Sequence, residues 1–505
     1  MRSGAKPVDA PEMTSRIDAP EASSRLQLFD LEAASAFLSY LAFSLLIFGR
    51  GLLVHPAAFY LGRGPDALAN IWFFAWWTHA IAHHLNPFES TVVWAPSGVN
   101  LAWTTTFPLA SCLLYPVTRL YGAIVACNLA HLLAPPLAGW SAFVLCRYVV
   151  RHFWPAWLGG CLFGFSPYVL TSMIGGGLFM LVFSIPLAVW ATLRRLAGES
   201  EARTFVAGMV LLLVAQFLLS VEIFASATLF GAIAIAFAAR SASAEEYARL
   251  VSVAWSIGAA YAISAAILSP YLYYMLASGV PEGTIFSPKN NAADLLNFLV
   301  PTGVNELGRL RLFSTIASYF RSDLSESRAY LGLPLLTIAV LFARERWLDR
   351  DCRFVVYMFA GACILAMGPF LEIAGRIIMP LPGAALAAMP LIDKALPGRF
   401  MIYAYLAAAV LLAMWLGQED CRRTLRWTLS LTIIPFMLPN LSMSLWATPN
   451  DTPPFFKEAL YRQYLAPGAT VMVLPYGFQG EGDSWQVATD MYFRMAGGYV
   501  GYALP

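Results

Sequence analysis

Residues 204–240 read TFVAGMVLLLVAQFLLSVEIFASATLFGAIAIAFAAR. Before the closing Arg240 the run carries one charged side chain, Glu222. A membrane span takes ~20 apolar residues, because in hydrocarbon only a helix satisfies its own backbone polar groups. The run is far too long for one crossing. It predicts a hairpin of two spans that turns near Gln216, Ser220 and Glu222. A carboxylate at the membrane midplane is a functional hypothesis by default, whereas at a hairpin turn it costs much less. Glu222 is therefore both a turn residue and a candidate acid.

Working outward from 204–220 and 223–240, comparable runs lie at 32–54, 122–146, 156–173, 178–193, 250–277, 329–343, 354–371, 400–417 and 425–446. The run 105–121 holds Pro108 and Pro116, which break a helix, and reads as re-entrant or interfacial. The pattern predicts an all-α polytopic membrane protein with about 11–13 transmembrane helices. Composition agrees: 59% of the 505 residues are hydrophobic and 12% charged, against ~25% charged in soluble proteins. A net charge of +2 makes no electrostatic case for nucleic acid. The cysteines (112, 127, 146, 161, 352, 363 and 421) are odd in number and form no CxxC. They read as small buried hydrophobes. Residues 1–30 are polar with no apolar core of a signal peptide, and read as a disordered cytoplasmic tail.

Basic residues orient such a bundle. The clusters are Arg147/Arg151, Arg194/Arg195, Arg240, Arg344/Arg346/Arg350/Arg353 and Arg422/Arg423/Arg426. If 105–121 does not cross, all five fall on the side of the N-terminus. The domain 31–446 then has three external loops, 55–104, 278–328 and 372–399. Residues 447–505 join them as a small extracytoplasmic α/β region, with a helix expected at 455–466 and a strand at Ala469–Pro475. The region has little room for a complete sheet. This charge pattern fits a bacterial cytoplasmic membrane, with the N-terminus inside and the active face outside. ATP is not expected there, and no GxxxxGK[ST] loop is present.

The first loop holds the densest set of unusual residues. Gly62-Arg63-Gly64-Pro65-Asp66 breaks the chain after the first span, and a helix to Leu85 follows. It carries Trp72, Phe73, Phe74, Trp76 and Trp77, suited to a helix lying at the membrane–water boundary. Asn86-Pro87-Phe88-Glu89 ends it. Asp66 at the helix start reads as a dipole partner worth ~0.3–1 kcal/mol, or as a general base for a reacting hydroxyl. His79 and His83 share a helix face as two metal ligands would, but no HExxH or spaced third ligand accompanies them.

Taken in order, these motifs resemble GT-C-fold membrane glycosyltransferases, akin to bacterial protein mannosyltransferases and aminoarabinose transferases. The series runs from Gly-x-x-Asp through the Trp-rich helix and Asn86-Pro87-Phe88 to the return Trp94-Ala95-Pro96-Ser97-Gly98. Ala126-Cys127-Asn128, Phe165-Ser166-Pro167-Tyr168 and Asp294-Leu295-Leu296 follow. Ala329-Tyr330-Leu331-Gly332-Leu333, Pro397-Gly398-Arg399-Phe400 and Gly497-Gly498-Tyr499 complete it. The resemblance spans residues 60–500.

The resemblance implies an enzyme that transfers a sugar from a polyprenyl-phosphate donor to an external glycan, lipid or protein acceptor, working among membrane lipids. Asp66 matches the family's first-loop acid. Many members have a second acid beside it; here the next is Glu89. Asp66, Glu89 and Glu222 are the candidate catalytic acids. Arg399, Lys289 and Arg321 are the candidate cations for the donor phosphate, drawn from external basic residues that also include Arg309, Arg311, Arg328 and Lys394. Trp72, Trp76, Asn86 and Tyr330 are candidates to line the substrate loops. No cofactor is expected and no metal ligand set is assigned, although a divalent metal stays open. Two other readings compete: a lipid or solute transporter or flippase, and a non-catalytic scaffold of the same fold.

Overall fold

The structure is a computed structural model. It describes residues 19–277, 279, 291–386, 395–419, 421–476 and 480–500, with side chains from residue 30. Lys289, Lys394 and most of the tail 1–30 lie outside the described residues.

Helix α1 (Ala19–Phe48) begins inside the segment expected to be disordered. Strand β1 (Phe59–Leu61) follows, then α2 (Gly64–Ala82) and the hairpin strands β2 (Glu89–Ser90) and β3 (Val99–Asn100). The run 105–121 forms two short helices, α3 (Pro108–Leu113) and α4 (Tyr115–Tyr121). Each has proline in its first turn. At 1.5 Å per residue neither is long enough to cross a ~30 Å hydrocarbon layer. Next come α5 (Ala123–Val150), α6 (Phe153–Gly164), α7 (Pro167–Ile174) and α8 (Ser184–Leu196). Ser166-Pro167 separates α6 from α7, as a proline at a helix start does.

Residues 204–240 form the expected hairpin of two helices. Helix α9 (Ala202–Leu219) ends at Ser220, and α10 (Val221–Arg240) starts there. Ile223 N–H donates to Ser220 Oγ at 3.3 Å, which caps the new helix. Glu222 lies in the first turn of α10. A reciprocal cap between Ser243 and Glu246 opens α11 (Ala244–Ile267), and α12 (Ser269–Ala277) continues it.

Beyond the middle loop come α13 (Arg311–Ala317), α14 (Gly332–Arg346) and α15 (Arg350–Ala366). The hairpin β4 (Phe370–Ile373)/β5 (Arg376–Pro380) and α16 (Gly383–Leu386) precede α17 (Met401–Leu416), α18 (Arg423–Leu431) and α19 (Ile433–Met437). Among the described residues, eight helical segments are long and apolar enough to cross a membrane. They are Asp30–Phe48, Ala123–Val150, Phe153–Ile174, Leu178–Leu196, Ala202–Leu219, Val221–Arg240, Ala244–Ile267 and Pro397–Leu416. Helices α14 and α15, of 15 and 17 residues, are shorter and pack against α17. The last apolar run is broken between α18 and α19.

The core sits around α17, where every residue but Met414 is buried. A helix that is apolar all round belongs in the middle of a bundle. Helices α5 and α6 pack on it closely because α6 carries Gly159. A Cβ there would lie 2.8 Å from Ala409 O and 2.9 Å from Cys146 Sγ. Helices α9, α10 and α11 bury only a few residues each. Their exposed Leu211, Phe237, Trp255 and Ile263 suit contact with lipid.

The five arginine clusters gather at one end of the bundle. Arg147 pairs with Glu32 at 2.6 Å, Arg350 with Glu246 at 2.8 Å, and Arg422 and Arg426 with Glu345 at 3.0 Å. Arg194 pairs with Glu199 at 3.4 Å, and Arg426 lies over the Trp415 ring at the end of α17. Asp66, Glu222 and Arg399 belong to the opposite helix ends.

The C-terminal region is made of α20 (Met443–Trp446), β6 (Ala447–Pro449), α21 (Pro454–Lys457) and α22 (Tyr461–Tyr464), followed by β7 (Thr470–Val471), α23 (Gly482–Ala488) and β8 (Arg494–Met495). The helix expected at 455–466 is split between α21 and α22, with Ala459 at φ 57° between them. The strand expected at 469–475 shrinks to β7, because β8 offers only two residues to pair with it. This region is not a separate lobe. Strand β6 pairs antiparallel with β1, and α23 packs on α2.

Candidate active site

Asp66 owes its position to a loop tied on two sides. Gly62 N–H donates to Trp446 O and Arg63 N–H to Ile174 O, both at 2.8 Å. Asn128 on α5 holds β1 from below. Its Oδ1 accepts from Leu61 N–H at 2.9 Å, and its Nδ2 donates to Phe59 O at 2.8 Å. The first turn of α2 then rests on Gly176, at φ +68°, where a Cβ would come within 2.5 Å of Ala67 Cβ. Gly176→Ala is expected to destabilise the protein by about 1–3 kcal/mol through overpacking and backbone strain. Gly231→Ala, which meets nothing within 4 Å, is expected to cause no loss. Thermal unfolding in detergent compares the two.

Tyr499 O–H donates to Asp66 Oδ1 at 2.6 Å. Burial raises the Asp66 pKa above the usual carboxylate range, and the Tyr499 hydrogen bond and the Arg399 charge offset only part of that. Beside it lies a compact ionic cluster. Arg399 donates to Glu222 Oε2, and to Glu326 Oε1 at 2.8 Å, with its guanidinium 4.1 Å from the centre of the Phe179 ring. Arg328 lies 3.1 Å from Glu326 Oε2, donates to Ser172 Oγ at 2.9 Å, and stacks over Tyr168. Burial acts to raise the Glu326 pKa, but Arg328 and Arg399 together hold it below the usual range. The cluster joins α7, α10, the middle loop and the start of α17, and its two arginines balance its two glutamates.

The structure sorts the expected site residues. Asp66, Glu222 and Arg399 come together at one end of the bundle. Arg399, expected to hold a phosphate, is engaged by two carboxylates. Glu89 is exposed on β2 opposite Asn100, with no described contact to Asp66. Arg321 lies 3.7 Å from buried Glu372 of β4. Asn86 closes a local turn, its Oδ1 accepting from Phe88 N–H at 3.0 Å. Tyr330 is buried in the core, and its carbonyl accepts from Tyr405 O–H at 2.6 Å.

Paired indoles predict a lipid–water boundary for Trp72 and Trp76, but both rings are buried inside the protein. The cause is the C-terminal region, which roofs α2. Trp72 Nε1 donates to Gln486 Oε1 at 2.6 Å, and Trp76 Nε1 to Pro87 O at 2.9 Å. The rings stack on each other 5.6 Å apart, within a cluster that includes Met491, Phe493 and Tyr499. Among the described residues, no three His, Cys, Asp or Glu side chains are grouped to hold a metal ion.

Sequence reading missed Glu326, and it gave Tyr499, Tyr168 and Ser172 no role. Tyr499 and Tyr168 stood in quoted motifs. The Tyr499–Asp66 contact joins positions 433 residues apart, which no local spacing reveals.

A family model described as a domain of unknown function (DUF6311) matches residues 36–438. The chain belongs to this family. The DUF6311 match includes Asp66, Glu222, Glu326, Arg328 and Arg399, while Tyr499 lies beyond it. No curated protein matches the sequence. Among solved structures, the chain is similar to the oligosaccharyltransferase of Archaeoglobus fulgidus in its apo form, with a TM-score of 0.52 at 11% identity. That alignment covers 92% of this chain and 64% of the other, so the chain spans less than two thirds of its length. The same archaeal protein, AglB, in complex with an inhibitory peptide and a dolichol-phosphate, aligns over the same shares at a TM-score of 0.47 and 13% identity. The shared feature is the fold: a polytopic, all-α, GT-C-like membrane architecture.

Proposed function

We propose that this chain is a membrane glycosyltransferase that moves a sugar from a polyprenyl-phosphate donor to an extracytoplasmic acceptor. The observation that carries this reading is Asp66. It is a carboxylate with a raised pKa, fixed by Tyr499 at the start of α2, at the bundle end opposite the arginine clusters. The positive-inside bias supports an extracytoplasmic position for that end. The fold shared with an oligosaccharyltransferase supports the class of reaction.

In this mechanism Asp66 takes the proton of the acceptor hydroxyl as its oxygen attacks the sugar C1. The C1–O bond to the phosphate breaks, and the polyprenyl phosphate leaves with the electron pair. A base serves best when its pKa is raised toward the working pH, which burial does here. Arg399, Arg321 and Lys289 are the proposed cations for the departing phosphate. For Arg399 this means that phosphate takes the place of Glu222 on the guanidinium.

The test is transfer by the full chain in liposomes. A panel of radiolabelled polyprenyl-phosphate sugars is supplied, and label in acceptor and free polyprenyl phosphate are measured. Equal appearance of both is expected. Movement of intact lipid or solute across the vesicle with no bond cleaved would overturn the reading in favour of a transporter.

A further inference from the structure

The middle loop and the β4/β5 hairpin carry an apolar surface that the mechanism above does not use. Helix α13 divides cleanly by its 3.6-residue turn. Leu312, Phe313, Ile316 and Ala317 fall on one side, and Arg311, Ser314 and Thr315 on the other. A surface helix of a water-soluble domain buries such an apolar side. All residues of α13 keep some exposure instead, and Leu312 is 67% exposed. Strand β5 repeats the pattern, with Ile377, Ile378 and Met379 exposed in succession. Neighbours in a strand point to opposite faces, so both faces of β5 are open. Left in water, an apolar strand of this kind invites aggregation.

The two elements meet at the level where the membrane helices end. The turn Ala374-Gly375 stands at φ 50° and 72°, the left-handed pair that a two-residue hairpin loop requires. Asp294 holds it. Its Oδ1 accepts from Ala374 N–H at 3.2 Å, and its Oδ2 from Gly375 N–H at 2.7 Å. The neighbouring Ala293 N–H donates at 2.9 Å to the carbonyl of Ala366, the last residue of α15. A Cβ on Gly368 would meet Pro397, where a span begins, at 3.1 Å. The hairpin tip is therefore folded back onto the helix ends and does not project into water. Helix α13 is joined to the same turn. Tyr319, just after it, presents its carbonyl to Gly375, where a Cβ would collide with it, and Arg321 lies 3.7 Å from Glu372 of β4. The exposed Tyr319 suits a membrane–water boundary.

We propose that α13 and the β4/β5 hairpin form an interfacial anchor in the leaflet at the Asp66 end, with Leu312, Ile377, Ile378 and Met379 in the acyl boundary and Arg311 and Arg376 on anionic lipid phosphates. Lipid fits this face better than a protein partner on three grounds. The anchor is level with helix ends that the membrane itself must meet. Ile364, two residues before the end of α15, is exposed as well, so the lipid-facing surface of the bundle continues into it. The charges are placed for headgroups: exposed Arg311 opens α13 and exposed Arg376 opens β5, each directly beside an exposed apolar residue. Such arginines stay with the phosphates while their neighbours enter the acyl region. The anchor is independent of sugar transfer.

The test uses the full chain in liposomes that contain diazirine phospholipids, one anionic and one zwitterionic, with cross-linked peptides located by mass spectrometry. Label is expected on residues 310–319 and 376–380, enriched for the anionic probe. Arg311→Gln and Arg376→Gln should each cut that enrichment by about five-fold, the pull of one basic side chain near an anionic surface. Leu312→Gln/Ile378→Gln should lower the label from both probes on those segments. Its thermal unfolding in detergent should stay unchanged, since both side chains are already exposed. Label confined to α9, α10 and α11 would overturn the proposal, and so would equal yields from the two probes. Cross-links between two copies through residues 377–379, in place of lipid label, would assign the face to self-association instead.

Discussion

Asp66→Asn is expected to lower the rate of sugar transfer by about 10²–10⁴-fold, the usual contribution of a positioned base. Folding should survive. Asparagine keeps the shape of the side chain, and its carbonyl can still accept the Tyr499 hydrogen bond. Stability should rise, because burial raises the Asp66 pKa and the folded chain holds that proton more tightly than the unfolded one does. An acid of this kind loses folding free energy as pH climbs from the unfolded value, ~3.9, through its raised folded value. The asparagine variant does not titrate, so its advantage should grow across that window. The activity of the native protein should run the other way and increase with pH as Asp66 ionises. Full transfer activity in Asp66→Asn would remove Asp66 from the mechanism. A variant less stable than the native chain at pH 7 would show that the carboxylate is there for the fold.

The second large effect lies in the ionic cluster. Arg399→Leu is expected to destabilise the protein by about 3–5 kcal/mol, the usual result of deleting one partner from a buried ion pair. Both carboxylates on that guanidinium are largely buried. Glu326 would keep Arg328, whereas Glu222 would be left uncompensated. The double variant Arg399→Leu/Glu222→Gln should therefore recover much of the loss, and a double-mutant cycle measures how much. Arg399→Lys should remain impaired, because one ammonium cannot reproduce the fork that meets two carboxylates. Chemical or thermal unfolding in detergent reads the native chain, the two single variants and the double variant of the cycle, and Arg399→Lys. Equal stability of native and Arg399→Leu chains would mean that the cluster is solvated.

These expectations rest on parts of the molecule that differ in how far local chemistry reveals them. The hairpin at Ser220 was legible because apolar length and a cap residue are local quantities. So were the broken run at Pro108 and Pro116, and the place of Asp66 at a helix start after Gly62 and Pro65. The environment of α2 was not. Trp72 and Trp76 have the composition of a boundary helix, yet Gln486 and Phe493 cover them. Hydropathy cannot distinguish a ring facing lipid from one facing distant protein. Arg399 lies at the mouth of a span, as its Pro-rich approach implies, but Glu326, which pairs with it, sits in no motif. Asp66 stands out by its position, while Tyr499, which donates to it, shows in the sequence only as the end of Gly497-Gly498-Tyr499.

The pairing of β1 with β6 and the contact of Tyr499 with Asp66 also impose an order on biosynthesis. A ribosome delivers Asp66 to the membrane early, before most of the helices around it exist. The residue that fixes it emerges 433 positions later, after every span described here has been made. Until then α2 lacks its roof and its Trp-rich face is open. The partly made chain thus carries the acid without the geometry that gives it a task. Assembly of the site becomes a late step in maturation, and a nascent chain stalled in the membrane would lack the Asp66–Tyr499 contact on which the proposed transfer rests.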